Sequence, residues 1–174
     1  MAHLVMFDGE RLAPSVTVSV SRAKGHTHPD DVSLLRALLN MVYGAPIHPR
    51  LPPGAGRAIL PGVKFTPETD VFLRWHQKTV TPNLKPDGIA SPLPLGSSFD
   101  HMSETGYIVF NLFWRAAAFK PENENNVIDA LTTFPLLGGL RSAIWGNPEA
   151  GTTETVQGGM PGSETRPGSG PTTN

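Results

Sequence analysis

Residues 30–43 read DDVSLLRALLNMVY, and their apolar side chains recur at the three- and four-residue spacing of a helix. Pro29 suits the start of such a helix, and Asp30 and Asp31 suit its first turn, where the helix dipole favours negative charge. Gly44 then ends the pattern. The stretch therefore predicts a helix with one apolar face.

The segment before this helix is predicted to be β-structure. Leu4–Phe7 is apolar and is followed by an Asp-Gly pair, a strong hairpin signal, so Glu10–Leu12 is expected to return as a second strand. Val16–Val20 alternates valine with Thr or Ser, which is the period-two pattern of a strand with one buried face. Residues 3–21 therefore predict a small antiparallel β-meander.

Two segments in the middle of the chain are also predicted to be regular. Thr66-Pro67-Glu68 has the residues of a helix start, and Thr81-Pro82 stops that helix. Tyr107–Trp114 is apolar on both faces, so its periodicity leaves strand and helix open. Its Tyr, Ile, Val and Phe residues favour a buried strand.

The last regular segments are predicted to be helical. Val127–Phe134 has apolar residues on one face, and Asn125 or Asn126 is expected to cap this helix. Leu136–Trp145 predicts a second short helix, weakened by a Gly-Gly pair.

Two regions rich in proline depart from this pattern. Residues 44–67 contain six prolines with interspersed apolar residues, which predicts an extended arm rather than a solvated linker. Residues 147–174 contain 18 Gly, Pro, Thr or Ser among 28, too little apolar surface to offset the entropy of ordering the segment alone. The sequence therefore predicts an α+β fold with a small N-terminal antiparallel β-meander, several short helices, Pro-rich extended arms and an irregular C-terminal tail. Residues 1–146 are expected to form one globular domain.

Composition excludes several classes of protein. The chain has no cysteine, so disulfide scaffolds and thiolate metal sites are excluded. We expect a virion or an intracellular reducing compartment. The N-terminus lacks the basic and apolar regions of a secretory signal peptide, and the longest apolar run, Tyr107–Phe119, is too short for a membrane span.

Charge is divided along the chain. Residues 1–85 carry 10 Lys or Arg and 6 Asp or Glu, a balance of +4, whereas residues 86–174 carry 4 and 9, a balance of −5. Such a division suits head-to-tail packing of identical subunits or a basic face on an acidic partner. The alternative is that the two halves cancel once the chain is folded.

The best candidate for a metal site is the pair His26 and His28 followed by acidic residues. Two imidazoles one residue apart, with the carboxylate of Asp30, have the donor types of a zinc site. The alternative is that these histidines are structural or solvent-exposed and that Asp30 serves only the helix start. His76 is one of several histidines that could act as a base, but no nucleophile motif accompanies them. No cofactor or catalytic residue is predicted.

A run of basic residues is the candidate surface for contact with nucleic acid. Aromatic residues are interleaved with the cations, as neutralisation of a phosphate backbone with some stacking requires. The alternatives are a solvated face or pairing with acidic residues of a neighbour. Trp75 and Trp145 are candidate interface anchors. The basic residues are Arg50, Arg57, Lys64, Arg74, Lys78 and Lys85.

In order of elements, the N-terminal hairpin and the predicted strand with two helices at Tyr107–Trp145 resemble the small RNA-phage coat proteins. The resemblance covers less than half of the chain, and the helix at 30–43 has no counterpart in their sheet. The arm, the tail, the divided charge and the absence of a catalytic motif favour a non-enzymatic structural subunit of a large assembly, a viral coat or capsid-associated protein that self-associates through extended arms. Its partners would be copies of itself or other subunits. The alternatives are an accessory subunit of a large organellar complex, or a small metal-dependent enzyme that uses His26 and His28.

Overall fold

The structure, a computed structural model, describes residues 1–22, 28–45, 50–80, 85–94, 96, 98, 99, 107–118 and 120–145. The predicted tail at 147–174 lies outside this range. The α+β class with a small N-terminal hairpin is confirmed. The elements are β1 (His3–Phe7), β2 (Arg11–Ser15), α1 (Pro29–Gly44), α2 (Pro67–Val80), α3 (Ile108–Ala116), α4 (Glu124–Leu131) and β3 (Ile144–Trp145).

The N-terminal hairpin forms where the Asp-Gly pair predicts it. β1 and β2 pair antiparallel, with Phe7 opposite Arg11. Asp8 and Gly9 have φ values of 49° and 80°, the left-handed conformation that Gly adopts without steric cost and Asp tolerates. On its other side, β1 pairs in parallel with β3, so the strand order is β2-β1-β3.

The prediction of a third strand in the meander is wrong. The backbone N–H groups of Thr17 and Val18 donate to the Asp31 carboxylate, at 3.0 and 3.2 Å, instead of to a neighbouring strand. Val20 pairs only with Ala90, as an isolated antiparallel bridge. The carboxylate at the start of α1 therefore takes the hydrogen bonds that a meander would have used.

Helix α1 is the centre of the core. Its bounds match the predicted helix, but residues 31–39 are buried all round rather than on one face. The helix packs against α2, α3 and α4, and the segment at Ile59 and Leu60 also contacts it. Its buried polar side chains have partners; for example, the Ser33 hydroxyl donates to the carbonyl of Pro135.

The prediction of a strand at Tyr107–Trp114 is wrong, because this segment forms helix α3. The helix packs between α1 and β2, so apolar neighbours meet both of its faces. Phe110 and Phe113 are both buried within the core. A helix satisfies its backbone hydrogen bonds internally, so an apolar segment can be buried there without strand neighbours. The order of elements that resembled the phage coat proteins is therefore not present in the described part of the chain.

Helix α2 begins as predicted. Thr66 accepts a hydrogen bond from the Thr69 N–H, and the Thr69 hydroxyl accepts one from the Thr66 N–H, at 3.3 and 3.2 Å. This reciprocal pair is equivalent to a capping box, in which the two residues satisfy backbone donors at the helix start.

The C-terminal predictions are partly wrong. Helix α4 begins at Glu124, after a short 3-10 turn at Pro121–Asn123, so Asn125 and Asn126 lie inside its first turn and do not cap it. The predicted helix at Leu136–Trp145 is a 3-10 turn at 140–142 followed by β3. Leu136 has φ of 65°, a left-handed conformation that interrupts any helix across this position.

The described part of the predicted arm, residues 50–66, contains no helix or strand and runs over its own α1; we call it the arm. Its attachment depends on Arg36, which is buried and donates two hydrogen bonds to the carbonyl of Leu60, at 2.7 and 3.1 Å. Asn40 donates to the carbonyl of Ile59, whose side chain is fully buried. These contacts place the arm beside α2.

Candidate docking groove

A groove lies between the arm and the outer face of α2. It consists of two adjoining depressions of about 590 and about 300 Å3, which share Pro53 and Val71. The first depression contains Arg57, and the second contains Trp75 and Pro86. We call the two together the α2 groove.

The floor of the α2 groove is a row of side chains from one face of α2. Val71, Trp75 and Lys78 follow at four- and three-residue spacing, so they lie along one line of the helix surface. The Trp75 indole N–H donates to the carbonyl of Arg50 at 2.9 Å, which holds the ring against the arm. Val71 is 49% exposed although it is a large apolar residue. The floor of the groove is therefore an apolar surface that is exposed to solvent.

The wall at Pro86 is held by an ion pair on α2. Arg74 donates to the carboxylate of Asp70 at 3.0 Å and to the carbonyl of Pro86 at 2.9 Å. Gly88 packs on this pair with φ of 70°, and a Cβ there would lie 2.6 Å from both Arg74 and Asp70. The side-chain oxygen of Gln77 accepts a hydrogen bond from the Gly88 N–H at 2.8 Å, which also holds the segment at Pro86 and Gly88 against α2.

The structure brings together three of the six predicted basic residues. Arg57, Arg74 and Lys78 line the α2 groove, and Arg57 and Lys78 form no ion pair within the described part of the chain. Glu68 is the carboxylate on the lining, and the charge of Arg74 is balanced by Asp70.

The remaining three basic residues are exposed outside the lining. Arg50 offers its carbonyl to Trp75, and Lys64 offers its carbonyl to Arg36 at 3.2 Å. Lys85 precedes the wall residue Pro86. The proline walls were not predicted as part of a site, and the signal that could have identified them is the adjacent pair Pro52-Pro53.

One of the three predicted metal-binding residues, Asp30, has other contacts in this structure. Asp30 accepts the backbone N–H of Ala2 at 2.7 Å and lies 3.3 Å from the N-terminal ammonium of Met1. Burial acts to raise the pKa of Asp30, but hydrogen bonds from the backbone N–H groups of Ala2 and of Asp30 itself, together with the Met1 ammonium, outweigh it, and the pKa is lowered. His28 is exposed, and His26 lies outside the described residues. No group of three or more metal-ligating side chains occurs among the residues that the structure describes.

His76 does not have the surroundings of a catalytic base. Its side chain is 1% exposed, and burial, aided by the positive charge of Arg115, lowers its pKa to about 3. Its Nε2 lies 3.1 Å from the side-chain amide oxygen Oδ1 of Asn111, so this nitrogen carries the proton and Nδ1 accepts from the Tyr43 hydroxyl. A buried neutral imidazole with both nitrogens hydrogen-bonded is a structural group, which agrees with the core packing of its neighbours.

The structure describes the side chain of one of the two predicted interface anchors, and the anchor role of both remains a prediction. Trp75 is half-buried at the floor of the α2 groove. The backbone of Trp145 pairs with Val5 in the sheet, and its side chain is outside the description. Its role as an anchor remains a prediction.

Comparison with known proteins finds no relative: no family model, curated protein or solved structure matches this chain. In the regions that the structure describes, none of the helices is both long and apolar enough to cross a membrane.

Proposed function

We propose that this chain is a non-enzymatic structural subunit of a large assembly, a viral coat or capsid-associated protein, and that it associates with copies of itself. The observation that carries the proposal is the α2 groove, an open and largely apolar surface whose lining includes the cations Arg57 and Lys78. Solvent-exposed apolar grooves with a polar rim are typical of surfaces that bind another protein.

In the described regions, most of the exposed large apolar side chains belong to the two segments that form this groove, the arm and α2. Five large apolar residues are exposed in the described regions, and three of them, Leu60, Val63 and Val71, belong to the arm and α2. Their exposed fractions are 50%, 36% and 49%, values that a partner surface would reduce. This concentration favours an interface on the arm and α2 over a binding surface elsewhere.

The experiment is size-exclusion chromatography with light scattering on the purified full chain, followed by metal analysis of the same fraction. We expect a mass of many times the 18.7 kDa of one chain and no stoichiometric metal. A stable monomer that carries one equivalent of zinc or another divalent ion would contradict the proposal. That result would favour the metal-dependent enzyme that uses His26 and His28.

A further inference from the structure

The α2 groove has an apolar middle, at least one cation in each depression, and one carboxylate, Glu68, in the same depression as Arg57. Pro53 and Val71 belong to both depressions and form the middle, beside Trp75. Arg57 lies in the first depression and Lys78 in the second. An extended segment with apolar residues between two carboxylates would match this pattern in both polarity and charge.

One segment of this chain has the matching pattern. Within residues 147–174, Glu154 and Glu164 flank Val156, Met160 and Pro161. The same 28 residues contain three Glu and one Arg, a balance of −2, whereas residues 50–85 contain six Lys or Arg and two Asp or Glu, a balance of +4. The acidic tail and the basic groove region are therefore complementary.

We propose that the tail of one copy binds the α2 groove of a second copy, with Val156 and Met160 over Trp75 and the two glutamates beside Arg57 and Lys78. The inference rests on the proposed function and names the contact that builds the assembly. Such a head-to-tail contact joins two different surfaces, so it repeats from subunit to subunit and produces rings or larger arrays. A tail bound to its own groove would link nothing.

A nucleic acid is the competing occupant, and the contacts of the groove favour the peptide. The Trp75 indole N–H is already donated to the carbonyl of Arg50, and the lining around the ring is almost wholly apolar. Arg74 is paired with Asp70. The ring edge of Trp75 and the charge of Arg74 are therefore already used within the fold, and the lining around the ring offers apolar surface instead of the polar groups that read base edges.

The experiment reverses charge on each side of the proposed contact in the full chain. One variant carries Arg57→Glu and Lys78→Glu in the groove, and the other carries Glu154→Lys and Glu164→Lys in the tail. In each variant the groove and the tail have the same sign of charge. We expect the Kd for self-association, measured by sedimentation velocity at low salt, to rise about tenfold or more in both.

Mixing the two variants provides the decisive step, because each groove then meets a tail of opposite charge. We expect the equimolar mixture to associate with a Kd close to that of the original chain. The control variant carries Arg22→Glu and Lys120→Glu, which change the net charge by the same amount as the groove variant at exposed positions outside the groove and the arm. It should associate like the original chain, and circular dichroism checks that all variants are folded.

Three results would overturn the inference. The first is association of the original chain that neither charge reversal weakens, which would leave the proposed function standing with a different contact. The second is a variant mixture that stays as dissociated as its components. The third is a monomer at every concentration that binds a single-stranded oligonucleotide and loses it on groove reversal, which would assign the α2 groove to nucleic acid and contradict the proposed function as well.

Discussion

Arg36 is the residue on which the position of the arm depends most directly. Besides its two bonds to Leu60, it donates to the hydroxyls of Thr66 and Thr69 at 3.0 and 2.9 Å. A planar guanidinium can serve several acceptors at fixed angles, which an ammonium group on a flexible stem cannot. The run of apolar residues around Arg36 gives no sign of this role, because its partners lie 24 to 33 residues later in the chain.

We predict that Arg36→Lys lowers the free energy of unfolding by about 2–3 kcal/mol, since the substitution leaves buried acceptors without donors. Urea unfolding at neutral pH measures this loss of unfolding free energy. Lys64→Ala is the matched control, because its side chain is exposed and only its carbonyl is used; its effect should stay within about 0.5 kcal/mol. A loss below about 0.5 kcal/mol for Arg36→Lys would show that the guanidinium does not hold the arm.

His76 predicts a specific dependence of stability on pH. Its pKa is about 3 in the folded chain and about 6.5 in the unfolded chain, so the unfolded chain binds the proton first as the pH falls. The contribution of this group is therefore complete above pH 6.5. It falls by about 1.4 kcal/mol per pH unit between pH 6.5 and pH 3.

We predict that His76→Gln removes this dependence. Between pH 6.5 and pH 4.5 the original chain should lose about 2–3 kcal/mol more of its unfolding free energy than the variant. Urea unfolding of both proteins at matched pH values measures the difference, and every other titrating group is common to the two. Parallel pH curves, or an NMR titration of His76 near pH 6, would contradict the buried neutral imidazole.

At the scale of elements, sequence predicts a helix well where its capping is local. Helix α2 shows this, because Thr66 and Thr69 are three residues apart and cap it without outside help. Helix α3, in contrast, was predicted wrongly as a strand. Its two faces are both apolar because α1 and β2 cover it, and that arrangement is set by the tertiary fold rather than by local sequence.

The missing third strand has the same kind of cause. Val16–Val20 has a strand pattern, but Asp31 accepts the backbone donors that would have paired with a strand. Asp31 is itself fully buried at the start of α1, 14 residues after Thr17. Only β3, more than 120 residues away from β1 in sequence, completes the sheet. Pairing over such distances leaves no local signal.

The wall of the α2 groove gives an element-scale prediction. Gly88→Ala would place a Cβ against the Asp70–Arg74 ion pair and force an alanine to φ of 70°. Gly9→Ala meets the same kind of backbone strain at φ of 80°, with no atom within 4 Å. We expect about 1 kcal/mol of lost stability for Gly9→Ala and about 1–2 kcal/mol more for Gly88→Ala, measured by thermal or urea unfolding. Equal losses would mean that the ion pair moves aside without cost.

At the scale of the whole molecule, sequence predicts the chemistry of the candidate site better than its shape. The basic residues and Trp75 were identifiable from composition, and three of the cations line one groove. The groove itself is built from the arm, α2 and Pro86, which are separated along the chain and are joined by Arg36 and Arg74. Both arginines bind backbone carbonyls, and every residue has a backbone carbonyl. No pattern of side chains in the sequence therefore reveals these two attachments.

The claim that the chain builds a large assembly is tested most directly by electron microscopy of the purified full chain at micromolar concentration. We predict particles of uniform size, each many times the mass of one 18.7 kDa chain. Fields without particles above the size of a single chain, from a sample that is folded and intact, would contradict the account.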